Sequence, residues 1–250
     1  MAAIIASKVS SNIVLITGAN RGIGFGTARK LIQEHPGYHV IIGSRDASQG
    51  AKSAAELSSE GLSASSVQLD ITDDDSIMTA RDYVEREFGR LDVLINNAGI
   101  SFEGREMEYS LRQRMAKTFD VNVFGTAAVT DAFLPLLEKS ENPRIVFVSS
   151  MAGSLTQSTD FSDPWTKVPM LAYRSSKAAV NMVMAHFASQ TVEKGFKVNA
   201  VCPGYIGTNL NNFQGTGTLD DGARIVVKMA TLGKDGETGT FSTIDGLSPW

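Results

Sequence analysis

Along this chain, short apolar runs bounded by glycine, proline or polar residues alternate with longer stretches of helical spacing. The first unit is the most informative. Residues 13–17 form an apolar run, Gly18-Ala19-Asn20-Arg21-Gly22-Ile23-Gly24 follows, and residues 25–33 read as a helix. Strand, glycine turn and helix together aim the unpaired N–H groups of a helix start out of a tight turn, which suits a phosphate. Pro36 and Gly37 close that helix, and the alternation continues. Further strands are expected at 38–43, 66–70, 93–96, 144–149, 197–202 and 240–244, with helices at 47–60, 73–88, within 107–137, at 172–193 and at 219–230. Strands that alternate with helices imply a parallel sheet covered on both faces, because parallel strands need crossover connections. In such sheets ligands collect at the carboxyl ends of the strands. No linker, repeat or low-complexity tract interrupts the pattern, so residues 1–250 are read as one α/β domain of about seven strands.

A second stretch carries chemistry. Ala172-Tyr173-Arg174-Ser175-Ser176-Lys177-Ala178 opens a long apolar segment, and on a helix Tyr173 and Lys177 lie one turn apart on a single face. A free phenol, with a pKa of about 10, is a poor acid or base near neutrality unless something stabilises the phenolate. An ammonium group one turn away is expected to do so.

The net charge of −4 gives no electrostatic reason to expect a phosphate-backbone partner, so nucleic acid is not expected. The single cysteine, Cys202, leaves no intrachain disulfide. Residues 1–11 lack the apolar core of a signal peptide, and no stretch approaches the about 20 apolar residues of a membrane span. A soluble cytoplasmic protein is expected. The histidines, His35, His39 and His186, are scattered, and no cluster has metal-ligand spacing. Helix capping and dipole complementarity account for the acids Asp73, Asp74 and Asp75.

Taken together, Thr17-Gly18-x-x-x-Gly22-Ile23-Gly24, Asp70, Asn96-Asn97-Ala98-Gly99, Asn122, Ser150, Tyr173-x-x-x-Lys177 and Pro203-Gly204-x-Ile206-x-Thr208 resemble the short-chain dehydrogenase/reductase family across essentially the whole length. The resemblance implies a Rossmann-like doubly wound sheet and a nicotinamide cofactor. Gly18 and Gly22 would permit the turn, and Gly24 would let the first helix approach the sheet. In the family pattern Asp70 contacts adenine through its carboxylate and Ile71 through its backbone; Asn97, Ala98 and Gly99 line the cofactor's ribose, and Asn96 stabilises the sheet. Ile206 and Thr208, after Pro203 and Gly204, correspond to residues that hold the carboxamide.

The end of the second strand bears on which cofactor is used. An acid there selects NAD, whereas an arginine accommodates a 2′-phosphate. The chain reads Gly43-Ser44-Arg45, and Asp46, one place later, should point away. NADP(H) is therefore expected, with Arg45 the main 2′-phosphate ligand and Arg21, Asn20 and Ser44 in support. By resemblance, Tyr173 donates a proton to a carbonyl oxygen and Ser150, rather than its neighbour Ser149, hydrogen-bonds that oxygen. Lys177 lowers the phenol pKa and holds the nicotinamide ribose, and Asn122 fixes a water that links Lys177 to solvent. The implied activity is reduction of a ketone or aldehyde on a small molecule. Alcohol oxidation or imine reduction on the same site are alternatives, and so, from another class, is a regulatory cofactor-binding protein with vestigial catalysis. Such a protein would have no need of all four of Asn122, Ser150, Tyr173 and Lys177.

From Ser150 to Tyr173 is longer than the family's usual spacing, with the added residues, 154–169, including Phe161, Pro164, Trp165 and Pro169. This insertion makes the chain resemble the carbonyl-reductase branch and should form part of a substrate wall. It could also disturb helix packing used by tetrameric relatives, which leaves monomer, dimer and tetramer open. Residues 205–221, rich in Asn and Gly, read as a mobile lid, and Phe102, Tyr205 and Phe213 are candidates for the pocket wall.

Overall fold

The structure is a computed structural model that describes residues 11–103 and 107–250; the segment read as lacking a signal peptide lies, up to Ser10, outside the described residues. Eight strands form one sheet in the order β3-β2-β1-β4-β5-β6-β7-β8. They are β1 (Asn12–Ile16), β2 (Tyr38–Ser44), β3 (Ala64–Gln68), β4 (Val93–Asn96), β5 (Arg144–Val148), β6 (Lys197–Val201), β7 (Phe241–Thr243) and β8 (Gly246–Leu247). The first seven are parallel and β8 turns back antiparallel on β7. This Rossmann-like sheet thus has one strand more than expected. The addition is a two-residue pairing at the edge, too short to leave a periodic signal.

Alternate residues of the central strands feed two separate cores. Ile13, Leu15, Ile41, Leu94, Ile145 and Phe147 face one side, whereas Val14, Ile16, Val40, Ile42, Val93 and Ile95 face the other. With both faces buried, the strands read as unbroken apolar runs. Helices α1 (Gly22–Glu34), α2 (Ala47–Ser59) and α7 (Leu219–Ala230) cover the second side. The first side is covered by α3 (Asp74–Phe88), α5 (Thr126–Leu137) and α6 (Leu171–Thr191). Strand β1 lies between β2 and β4. The chain therefore reverses its winding beside β1, and a crevice opens there at the carboxyl ends.

Among the boundaries that differ from expectation, two have clear local reasons. The long helical region begins at α4 (Leu111–Phe119), not at residue 107, because Ser110 and Gln113 form a capping box. It is then interrupted by a π-helical segment, Asp120–Gly125. The third strand ends at Gln68, and Asp70 instead holds a turn, its Oδ1 accepting from the Thr72 N–H at 3.0 Å and from the Thr72 hydroxyl at 2.7 Å. Among the described residues no helix is long and apolar enough to cross a membrane.

Candidate active site

The glycine turn between β1 and α1 is held from beneath. The Thr17 hydroxyl accepts from the N–H groups of Asn97 and Ala98 at 3.0 and 2.9 Å. In return, the Asn97 amide donates to the carbonyls of Thr17 and Gly18 at 2.8 and 3.3 Å. Gly18 and Gly22 have φ of +62° and +60°, a region that side chains disfavour. A Cβ on Gly24 would stand 2.5 Å from the Asn97 amide nitrogen, so this glycine admits the buttress under the loop as well as the approach of helix to sheet.

Helix α1 starts without a side-chain cap and with no acid in its first turn. By contrast α2, α3, α4 and α7 are capped by Asp46, Asp73, Ser110 and Thr218. The free N–H groups of α1 therefore remain available to an anion. Asp46 is committed to capping: its carboxylate accepts from the N–H groups of Ser48 and Gln49, and the Ser48 hydroxyl and Gln49 amide hold its pKa below the usual range. Ser44 is buried and donates its hydroxyl to the Asp46 carbonyl at 2.7 Å, so its side chain shapes this turn and does not face the crevice. Arg21, just before α1, and Arg45, just after β2, are both exposed.

The second half of the site lies at the ends of β4, β5 and β6. The π-helical turn brings Asn122 inward, 1 % exposed, where Oδ1 accepts from the Ile100 N–H at 2.8 Å and Nδ2 donates to the Ile100 carbonyl and the Ser176 hydroxyl, each at 3.0 Å. Gly99 sits between two of the expected residues: a Cβ there would lie 3.4 Å from Asn122 Oδ1 and 3.6 Å from Lys177 Nζ. Lys177 donates to the Val148 carbonyl at 2.8 Å, with its ammonium 5.7 Å from the centre of the Tyr173 ring.

The paired serines part company as alternation on a strand demands. Ser149 is buried, donating to Asn181 Oδ1 at 2.6 Å. Ser150 faces Tyr173, and its hydroxyl acts on the phenol as a hydrogen-bond partner that lowers the phenol pKa. Burial outweighs this: the phenol is pushed up to about 12 by loss of solvent, with the Cys202 thiol adding to the rise. Burial likewise brings Lys177 down to about 8, with Cys202 opposing. In this state desolvation is the largest effect on both groups.

A model of the short chain dehydrogenase family matches residues 12–217. The chain belongs to that family. It is 37 % identical, over 95 % of its length and 90 % of the relative's, to the short-chain dehydrogenase/reductase ATR10 of Stachybotrys chlorohalonatus. With carbonyl reductase [NADPH] 3 of Mus musculus it shares 32 % identity over 90 % and 92 % of the two chains. Among solved structures, NADPH-bound carbonyl reductase from chicken fatty liver superposes with a TM-score of 0.83 at 29 % identity, covering 96 % of this chain and 99 % of that one. These likenesses put this short-chain dehydrogenase in the carbonyl-reductase-like branch, and the protein is an oxidoreductase.

The parts peculiar to this short-chain dehydrogenase gather over Tyr173. After a 3-10 turn at Met151–Gly153, the insertion folds into a helical turn at Leu155–Ser158 and a 3-10 turn at Pro164–Lys167. Arg174, next to Tyr173, donates to the Trp165 carbonyl and to the Ser158 hydroxyl. Trp165 meets Tyr205 edge to face at 5.4 Å, which joins the insertion to residues 205–221. That segment closes on itself: Gly207 N–H donates to the Gly217 carbonyl at 3.1 Å, and Gly217 N–H to that of Tyr205 at 3.0 Å. Thr208 reaches back over the glycine turn, its Cγ2 lying 3.8 Å from where a Cβ on Gly22 would be. Phe213 is exposed in a left-handed conformation, and Phe102 meets Tyr109 edge to face at 5.4 Å, with Lys117 Nζ against both rings.

Two participants were not anticipated. Gly153 is buried where a Cβ would stand 2.6 Å from the Lys177 carbonyl carbon, and Glu103 reaches the amide of Tyr173. The first is a close approach between segments separated in sequence, which composition does not reveal. The second lies 70 residues from its partner.

Proposed function

We propose that this protein is an NADP(H)-dependent reductase that converts a ketone or aldehyde on a small molecule to an alcohol, with Tyr173 as proton donor. The observation that carries the reading is the half-buried Tyr173 phenol facing Ser150, one helical turn from the Lys177 ammonium. When bound, NADPH supplies the hydride. The chain's own residues supply the rest. Ser150 donates a hydrogen bond to the carbonyl oxygen, Tyr173 gives that oxygen its proton, and the nearby Lys177 cation stabilises the phenolate left behind. Asn122 fixes the water that links Lys177 to solvent. Burial raises the phenol to about 12, so proton donation depends on the Lys177 cation and the Ser150 hydroxyl stabilising the phenolate as it forms.

The uncapped N-terminus of α1 and the Gly18–Gly22 turn fit a pyrophosphate, and Ile23, Gly24, Asn97, Ala98 and Gly99 line the path from there to Lys177. Asp70 and Ile71 border the adenine end, while Pro203, Gly204, Ile206 and Thr208 border the nicotinamide end. Arg45, supported by Arg21 and Asn20, takes the 2′-phosphate; Ser44 contributes by shaping their turn. The likeness to carbonyl reductases whose names carry NADPH supports the same choice. Arg45→Ala is expected to weaken NADPH binding about tenfold to a hundredfold and leave NADH binding unchanged, as read by titration of cofactor fluorescence. An unchanged NADPH-to-NADH ratio would remove Arg45 from the role.

The test of activity follows NADPH absorbance at 340 nm with acetophenone, benzaldehyde, cyclohexanone and 2,3-butanedione. The serines give a control within one experiment. Ser150→Ala should lower turnover about a hundredfold with little change in Tm. Ser149→Ala should leave turnover near wild type but lower stability by about 1–3 kcal/mol, because Asn181 loses its buried donor. The opposite pattern would exchange their roles.

A further inference from the structure

The helix that carries Tyr173 has no cap of its own. Met170 precedes it and provides no side-chain cap hydrogen bond, although the first N–H groups of any helix need partners. Glu103, from the loop after β4, fills the place: its Oε1 accepts from the Tyr173 N–H at 3.0 Å. Tyr173 is the third residue of α6, so this is one of the amides that an N-cap side chain ordinarily serves. The other oxygen, Oε2, pairs with Arg114 on α4 at 3.1 Å, and the two side chains are only 11 % and 13 % exposed. An anion here also lies at the positive end of the helix dipole. The loop that delivers Glu103 is anchored close by, since Asn122 binds both the N–H and the carbonyl of Ile100. One short segment thus ties the π-helical turn to the start of the catalytic helix.

We infer that Glu103 is a positioning residue, a helix cap supplied from a distant loop that holds the first turn of α6 and keeps the Tyr173 hydroxyl against Ser150. The inference rests on the reading of Tyr173 as proton donor. Reach matters more than charge in this role. Glu103→Gln keeps an acceptor of the same length, whereas Glu103→Asp keeps the charge and withdraws it by one methylene.

Two readouts on the full-length protein test it. Amide exchange at residue 173, measured by NMR, should accelerate at least several-fold in Glu103→Asp and stay near wild type in Glu103→Gln. With NADPH and whichever of the four carbonyl compounds wild type reduces fastest, Glu103→Asp should lose about tenfold to a hundredfold in kcat with KM for NADPH unchanged, and Glu103→Gln should recover most of the loss. Wild-type exchange at residue 173 in Glu103→Asp overturns the proposal whatever the turnover, as does a Gln variant more impaired in kcat than the Asp variant. Accelerated exchange in a protein whose wild type reduces none of the four compounds keeps the cap and removes the proton-donor reading.

Discussion

Tyr173→Phe is expected to lower carbonyl reduction by about a thousandfold, about 4 kcal/mol of barrier, while leaving NADPH binding within a few-fold of wild type. Phe preserves the ring that packs near Lys177 and removes only the proton that the carbonyl oxygen must receive. The wild-type rate should also fall as pH rises through about 8, because Lys177 loses its proton there and with it the cation that supports the phenolate. The sign follows from burial: a lysine lowered to about 8 is charged below that pH and neutral above it. Turnover by NADPH absorbance and cofactor affinity by fluorescence, measured across pH on both proteins, check the pair of statements. A Phe variant with wild-type turnover would sink the assignment of Tyr173 as donor. A rate flat from pH 7 to 9 would remove Lys177 from the step while leaving Tyr173 in place.

Gly153→Ala is expected to damage stability and catalysis together, although it adds a single methyl group. The new carbon would lie 2.6 Å from the Lys177 carbonyl carbon and 2.8 Å from both Lys177 Cβ and the Ala178 nitrogen. Most of these are atoms of the α6 backbone and cannot rotate aside, so the turn that carries Ser150 must lift away from the helix that carries Tyr173 and Lys177. Overpacking of this kind costs about 1–3 kcal/mol, and a displacement of about 1 Å in a catalytic pair costs about a hundredfold in rate. The comparison is Gly37→Ala, where nothing lies within 4 Å of an added Cβ; it should be neutral in Tm and kcat. A Gly153→Ala protein that matches it in both measurements would show that the turn yields freely.

What could be read from the sequence was what is written contiguously. The glycine turn, the Tyr173-x-x-x-Lys177 spacing and the apolar strand runs each specify geometry within a few residues, and the β1 to α1 unit forms as its pattern implies, with the helix starting at Gly22, three residues earlier than expected. The π-helical turn at Asp120–Gly125 left no such trace, because its apolar residues continue the helical period on either side. Its packing is nonetheless severe, since any Cβ on Gly125 would collide with the Ile71 carbonyl. The inward turn of Ser44 follows from Gly50, where a Cβ would stand 2.9 Å from Ser44 Cβ, a contact between a strand and the next helix. Glu103 reads as one acid among many until folding brings it to Tyr173. Local pattern predicts elements, whereas these contacts arise only when elements meet.

The edge-to-face pair of Trp165 and Tyr205 has an evolutionary consequence. The residues proposed for chemistry lie on regular elements or at their ends, whereas the two aromatics lie on connecting segments, the kind of place where substrate preference is usually set. Because the loops touch through this pair, a substitution on one changes the setting in which any substitution on the other is judged. Drift in substrate preference would then proceed by coupled steps, with the order of replacements at 165 and 205 deciding which intermediates still work.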